Sequence, residues 1–247
     1  MIEGQEGVTW QQWLALAEAA EEAGLEGLFR SDHYKTIVRG GEAGSLDAWA
    51  TLAALAARTE RLRLGTLVSP VTFRHPAVLA RNVITIDEIS DGRAELGIGA
   101  GWYEAEHEEF GFRFPSVRER VEELERQLGQ IRRWWKGWTI VGGAAKPRTA
   151  RIAVRYADEY NVNFVDVETA RERRRVVDEA AAEAGRPPLV FSAMLGGDPF
   201  LSGNAAEAAE RLREYEAAGV ERVMIQHLAH EDVEPVGFLG EVARLVA

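Results

Sequence analysis

The chain has 247 residues, 46% hydrophobic and 28% charged, enough for one large buried core. A formal net charge of −11 with no basic stripe argues against nucleic acid, whose phosphates need cations to neutralise them. There is no cysteine, so no disulfide framework, thiolate metal site or cysteine nucleophile, and no apolar run approaches the roughly 20 residues of a membrane span.

Met1-Ile2 reads as the stub of a strand, and MIEGQEGVTW lacks the basic and apolar regions of a signal peptide, so a cytoplasmic protein is expected. Thr9 is a helix cap, and Trp13, Leu16, Ala17 and Ala20 recur at helical spacing up to Gly24. Leu25–Phe29 is a strand ending in Ser31-Asp32-His33-Tyr34. A glycine-containing loop then runs to Ser45, the expected cap of a helix over Leu46–Arg58. Leu62–Val68 is a strand, and Pro76–Ser90 a helix with proline in its first turn.

The segment from Arg93 to Glu109 carries the strongest signal. An apolar strand to Gly99 runs directly into Gly101, Trp102-Tyr103 and the cluster Glu104, Glu106, His107, Glu108 and Glu109. Glycine lets a backbone approach a planar ligand, an aromatic can wall it, and a carboxylate or imidazole can handle a proton. A long amphipathic helix follows over Ser116–Trp135, then a strand at Trp138–Val141 and a helix at Pro147–Ala157. Strands at Glu159–Val165, Leu189–Leu195 and Val220–Ile225 alternate with helices at Thr169–Ala184, Asn204–Ala218 and Val236–Val246.

Strict alternation means parallel strands returned by crossover helices. About eight such pairs favour an α/β fold of the closed (β/α)8 or TIM-barrel type, as one domain over residues 1–247, rather than an open doubly wound sheet. Gly97, Gly99 and Gly101 follow the fourth strand and lack the spacing of a dinucleotide fingerprint. The first strand is short, and RRWWKGWTIV (Arg132–Val141) passes from helix to strand almost without a loop. Segments are therefore expected to be missing before residue 1 and near 136–139.

A barrel places its chemistry at the C-terminal ends of the strands. There Asp32-His33 reads either as a proton-handling pair or as a capped strand end with a satisfied histidine. GGAAKPR (Gly142–Arg148) reads either as an anion cradle at a helix N-terminus or as an ordinary turn. The five histidines have no metal-ligand spacing, so no metal is expected.

Four stretches carry a resemblance: Leu28–Tyr34, Leu62–Arg81, Gly92–Gly111 and Ile140–Asn161. Together they are similar to the bacterial luciferase-like monooxygenase superfamily, and within it to the branch of coenzyme F420-dependent oxidoreductases. That resemblance implies a (β/α)8 barrel with a cofactor ring in its mouth. It implies Asp32 and His33 beside the ring, with Asp32, His33 and Glu106 as catalytic candidates and His33 as the proton handler. It implies a bulge at Leu67-Val68, often a non-proline cis peptide, against one ring face. Gly101 and Trp102 correspond to a wall, and Gly142, Gly143, Ala144 and Ala145 to a phosphate cradle that Gly143→Asp would spoil.

The resemblance further implies hydride transfer with a small-molecule substrate, and a homodimer. The alternatives are an FMN-dependent monooxygenase on the same barrel, a non-catalytic flavin-binding barrel, and a metal-dependent hydrolase that the histidine spacing disfavours. Relatives carry a complete first strand and a segment of some tens of residues before the fifth; neither stands in this sequence.

Overall fold

The computed structural model describes residues 1–38 and 44–246. The loop expected before Ser45 lies partly outside the described residues. In chain order the elements are α1 (Trp10–Glu22), β1 (Gly27–Arg30), α2 (Ala48–Ala56), β2 (Arg63–Thr66), β3 (Ser69–Pro70), α3 (Pro76–Ser90), β4 (Ala94–Gly99), α4 (Glu104–Phe110) and α5 (Val117–Ile131). There follow β5 (Thr139–Gly142), α6 (Pro147–Tyr156), β6 (Glu159–Asn163), α7 (Val167–Glu183), β7 (Val190–Leu195), α8 (Ala205–Ala217), β8 (Arg222–Ile225) and α9 (Glu234–Val246).

All strand pairings are parallel, in the order β1-β2-β4-β5-β6-β7-β8, with β3 pairing β4. The expected first strand is reduced to one residue, yet it closes the sheet. Ile2 bridges Arg30 at the end of β1 and His227 just after β8, both in parallel. The Ile2 N–H donates to Phe29 O at 2.9 Å, and the His227 N–H donates to Met1 O at 2.9 Å. The (β/α)8 expectation is borne out as a nearly closed barrel.

Local sequence sets the helix starts. Thr9 and Gln12 make a reciprocal capping box on α1, and Ser116 and Glu119 make one on α5. The cap expected at Ser45 falls instead on Asp47, whose side chain accepts from the Ala50 N–H. Helix α4 was not expected: seven residues give the periodic pattern too few turns to show. The strand expected over Leu62–Val68 is broken by a cis peptide at Leu67-Val68, after which β3 resumes pairing.

Period-two alternation decides what fills the barrel. At its N-terminal end Glu95, Glu159 and Arg222 come from alternate strands; Arg222 donates to Glu95 at 2.7 Å and to Glu159 at 3.1 Å. Trp138 Nε1 donates to the same Glu159 oxygen at 2.8 Å. Above lies an apolar layer of Phe29, Leu67, Ile140, Met194 and Met224. One further step of two along the strands reaches Ser31, Gly99, Asn163 and Gln226, and there the packing opens into a cavity.

Candidate active site

The cavity has a volume of about 590 Å³ and lies at the C-terminal ends of the strands. Its two sides differ. One is built of Leu67, Val68, Gly99, Gly101, Gly142 and Gly143, with Trp102 at the rim. The other carries Glu3, Gln5, Ser31, His33 and Gln226.

The glycine side is shaped by the Val68 side chain. A Cβ on Gly99 would lie 2.6 Å from Val68 Cγ2, and one on Gly142 would lie 2.9 Å from Val68 Cγ1. Neither position tolerates a larger residue while Val68 keeps its place, so this side stays flat. Gly101 adopts a φ of +79°, which bends the chain away from β4 and sets Trp102 at the mouth. Trp102 is 62% exposed and stacks on Tyr103 with ring centroids 5.1 Å apart.

His33 also lines the cavity, beside Trp102. Its Nδ1 lies 2.8 Å from Glu106 Oε2, and the other Glu106 oxygen accepts from the backbone N–H groups of Tyr34 and Lys35. Glu106 is fully buried and does not line the cavity. In the neutral ring, a carboxylate oxygen facing Nδ1 favours the proton on that nitrogen and leaves Nε2 as the acceptor. Trp102 and Tyr103 meet the imidazole edge-on at 5.8 and 6.1 Å. The sequence placed Glu106 among the catalytic candidates; both its oxygens are engaged, one by His33 and one by the Tyr34 and Lys35 N–H groups.

Asp32 also turns away from the cavity. It is 1% exposed, accepts from Ser69 Oγ, and pairs with Arg74. Arg74 donates as well to Asp47 at 2.7 Å and to the Tyr34 hydroxyl at 2.8 Å. Burial alone would lower the Arg74 guanidinium, but Asp32, Tyr34 and Asp47 outweigh it and raise it above its ordinary value. Burial raises the Tyr34 phenol well above its usual range. Asp32 thus anchors the loop that presents His33, and its partner Arg74, which it shares with Asp47, was not legible in the sequence. The local signal was an arginine in TFRHP immediately before a helix.

Two of the four residues expected to form a cradle have their N–H groups engaged within the fold. Ala145 is buried at a φ of +45°, and its N–H donates to the Tyr160 hydroxyl at 2.9 Å. The Gly143 N–H donates to Asn161 O at 3.1 Å. Of the four residues, Ala144 is the exposed one. Among the described residues no group of three or more His, Asp or Glu side chains is arranged to hold a metal ion.

A sequence model described as luciferase-like monooxygenase matches residues 2–243. The chain belongs to that family. The chain is 32% identical over 196 residues to the F420-dependent glucose-6-phosphate dehydrogenase of Microbacterium testaceum (strain StLB037), which covers 68% of this chain and 57% of the relative. It is 32% identical over 206 residues to the enzyme of the same name from Nakamurella multipartita, covering 81% of this chain and 59% of the relative. The chain therefore spans less than two thirds of the length of these curated relatives. Its fold matches that of an F420-dependent secondary alcohol dehydrogenase, with a TM-score of 0.85 at 17% identity, over 98% of this chain and 96% of the other.

Proposed function

We propose that this luciferase-like barrel is an oxidoreductase that uses the deazaflavin coenzyme F420 and moves hydride between it and a small organic substrate. The observation that carries the reading is His33: a cavity-lining imidazole hydrogen-bonded to a buried carboxylate, in the same cavity as a flat glycine surface. The names of the two curated relatives support the choice of cofactor.

The glycine side fits a planar ring, because side chains at Gly99 or Gly142 would meet Val68. Leu67, Val68, Gly101 and Trp102 would hold that ring, and Gly142, Gly143 and Ala144 would lie along its phosphate-bearing chain. When bound, the deazaflavin supplies a carbon that donates or accepts hydride. His33 Nε2 takes the substrate's hydroxyl proton in one direction and returns it in the other. Asp32 and Glu106 hold the loop and the ring of His33 and touch neither reactant.

We further read the protein as cytoplasmic and homodimeric. The exposed Leu46 before α2, together with Val78 and Ile89 on α3, supports a subunit face there; light scattering that gives a monomer removes that face. The cofactor assignment is tested at Ala144. Gly143→Asp would also crowd the Tyr160 hydroxyl, 3.0 Å from an added Cβ, so Ala144→Asp is the cleaner variant. A carboxylate there should weaken coenzyme F420 binding at least about tenfold with little change in melting temperature. Unchanged affinity removes the cradle from this surface.

A further inference from the structure

The polar side of the cavity holds a carboxylate that the proposed chemistry does not use. Glu3 lines the cavity, is 8% exposed, and is held through both oxygens. Gln226 Nε2 donates to Oε1 at 2.8 Å, and Gln5 Nε2 donates to Oε2 at 2.8 Å. The orientation of Gln5 is itself fixed, because its carbonyl oxygen accepts from the Ser31 hydroxyl. Ser31 Oγ in turn accepts from the Gly4 N–H at 3.2 Å. Gly4, Ser31 and Gln5 form a chain of donors ending on Glu3, and Gln226 arrives from the other side.

Each carboxylate oxygen has a lone pair beyond the one these amides use, and an ionised carboxylate only accepts. Among the described residues that line the cavity there is no lysine or arginine, and Glu3 is the sole carboxylate. A phosphate-bearing substrate on this polar side would find no cation beside it and would meet a fixed acceptor instead. A hydroxyl or ammonium group would find a partner already oriented, which saves the cost of ordering it on binding.

We infer that Glu3 selects the substrate: an unphosphorylated alcohol, or the matching ketone, carrying a second hydrogen-bond donor, with an amine preferred. This rests on the F420 reading above. In the oxidative direction the carbinol carbon gives its hydrogen and two electrons as hydride to the deazaflavin. The hydroxyl proton goes to His33, and a ketone and the reduced deazaflavin remain. The inference departs from the sugar phosphate in the names of the curated relatives.

The test uses three alcohols with one carbinol core: 1-amino-2-propanol, 1,2-propanediol and lactate, whose second groups are cationic, neutral and anionic. Each is titrated into the full chain with coenzyme F420 bound, reading the deazaflavin fluorescence, and is assayed for F420 reduction. The expected order of affinity is amine, then diol, then lactate, with about ten- to a hundredfold between the ends. Glu3→Gln keeps the side-chain shape and should bring the amine-to-diol ratio close to one, a readout that a merely structural role would not move. Equal affinities, a preference for lactate, no binding of any of the three, or tighter binding of glucose 6-phosphate than of the diol would overturn the inference. So would an unchanged ratio in Glu3→Gln. Coenzyme F420 affinity, titrated without any alcohol, separates the two failures: if it is retained, only the role of Glu3 is lost, and if it is absent, the F420 reading itself has failed.

Discussion

Replacing Glu106 by glutamine reverses the polarity of His33 without removing it. Glu106 gives one oxygen to the Tyr34 and Lys35 N–H groups and the other to His33 Nδ1. Backbone N–H groups only donate, so the glutamine oxygen must stay with them and its NH2 must face the imidazole. Nδ1 then becomes the acceptor, and the ring proton moves to Nε2. A base that should take a hydroxyl proton becomes a donor that cannot. General-base catalysis is worth about 10²–10⁴ in rate, so oxidation of any alcohol substrate should fall within that range.

Stability separates the two obvious variants. Glu106→Gln keeps both backbone bonds and should cost about 1 kcal/mol. Glu106→Ala leaves Tyr34 and Lys35 without their acceptor and should cost about 2–4 kcal/mol, or roughly 5–15 °C in melting temperature. Long-range proton–nitrogen NMR correlations of the imidazole read the tautomer directly and need no substrate. The wild type should show Nδ1–H and the Gln variant Nε2–H. The same tautomer in both proteins would refute the assignment of Glu106 as the residue that orients His33.

Arg74→Met leaves Asp32, 1% exposed, without its cation and should destabilise the protein by about 3–5 kcal/mol, measured by urea unfolding; a change within error would mean that Asp32 is held by Ser69 alone. Gly99→Ala places a Cβ 2.6 Å from Val68 Cγ2 and should cost about 1–3 kcal/mol while weakening cofactor binding, because Val68 must move toward the ring; calorimetry with and without cofactor reads both. For Asp47, burial alone would raise the carboxyl, but the Ala50 N–H and Arg74 outweigh it and hold it below its ordinary value. A depressed carboxyl stabilises the fold fully above its ordinary pKa of about 4 and loses that contribution as pH falls through its lower folded value. Asp47→Asn keeps a good helix cap, so it should flatten the acid limb of a stability–pH curve in that window and leave α2 intact by circular dichroism.

The barrel was legible because eight apolar runs alternating with helical patterns leave few topologies. The strand ends were legible because glycine, aromatics and carboxylates rarely follow an apolar run. What the sequence hid is pairing across distance. Asp32 and Glu106 stood out as acidic residues at strand ends, but which way each side chain points depends on partners 42 residues away for Asp32 and 73 for Glu106. Both turn away from the cavity to serve the loop that carries His33. Glu3 escaped notice because a two-residue strand stub gives no periodicity to say that position 3 faces inward. The cradle looked like four available residues, and only the fold shows that Tyr160 takes the Ala145 amide.

The most direct measurement is a pair of fluorescence titrations of the purified chain, one with coenzyme F420 and one with FMN. The account predicts tight, saturable binding of the deazaflavin and at least about tenfold weaker binding of FMN. Selective binding of FMN would contradict it and return the barrel to oxygen chemistry. Binding of neither would contradict the assignment of the glycine side as a cofactor surface in this chain.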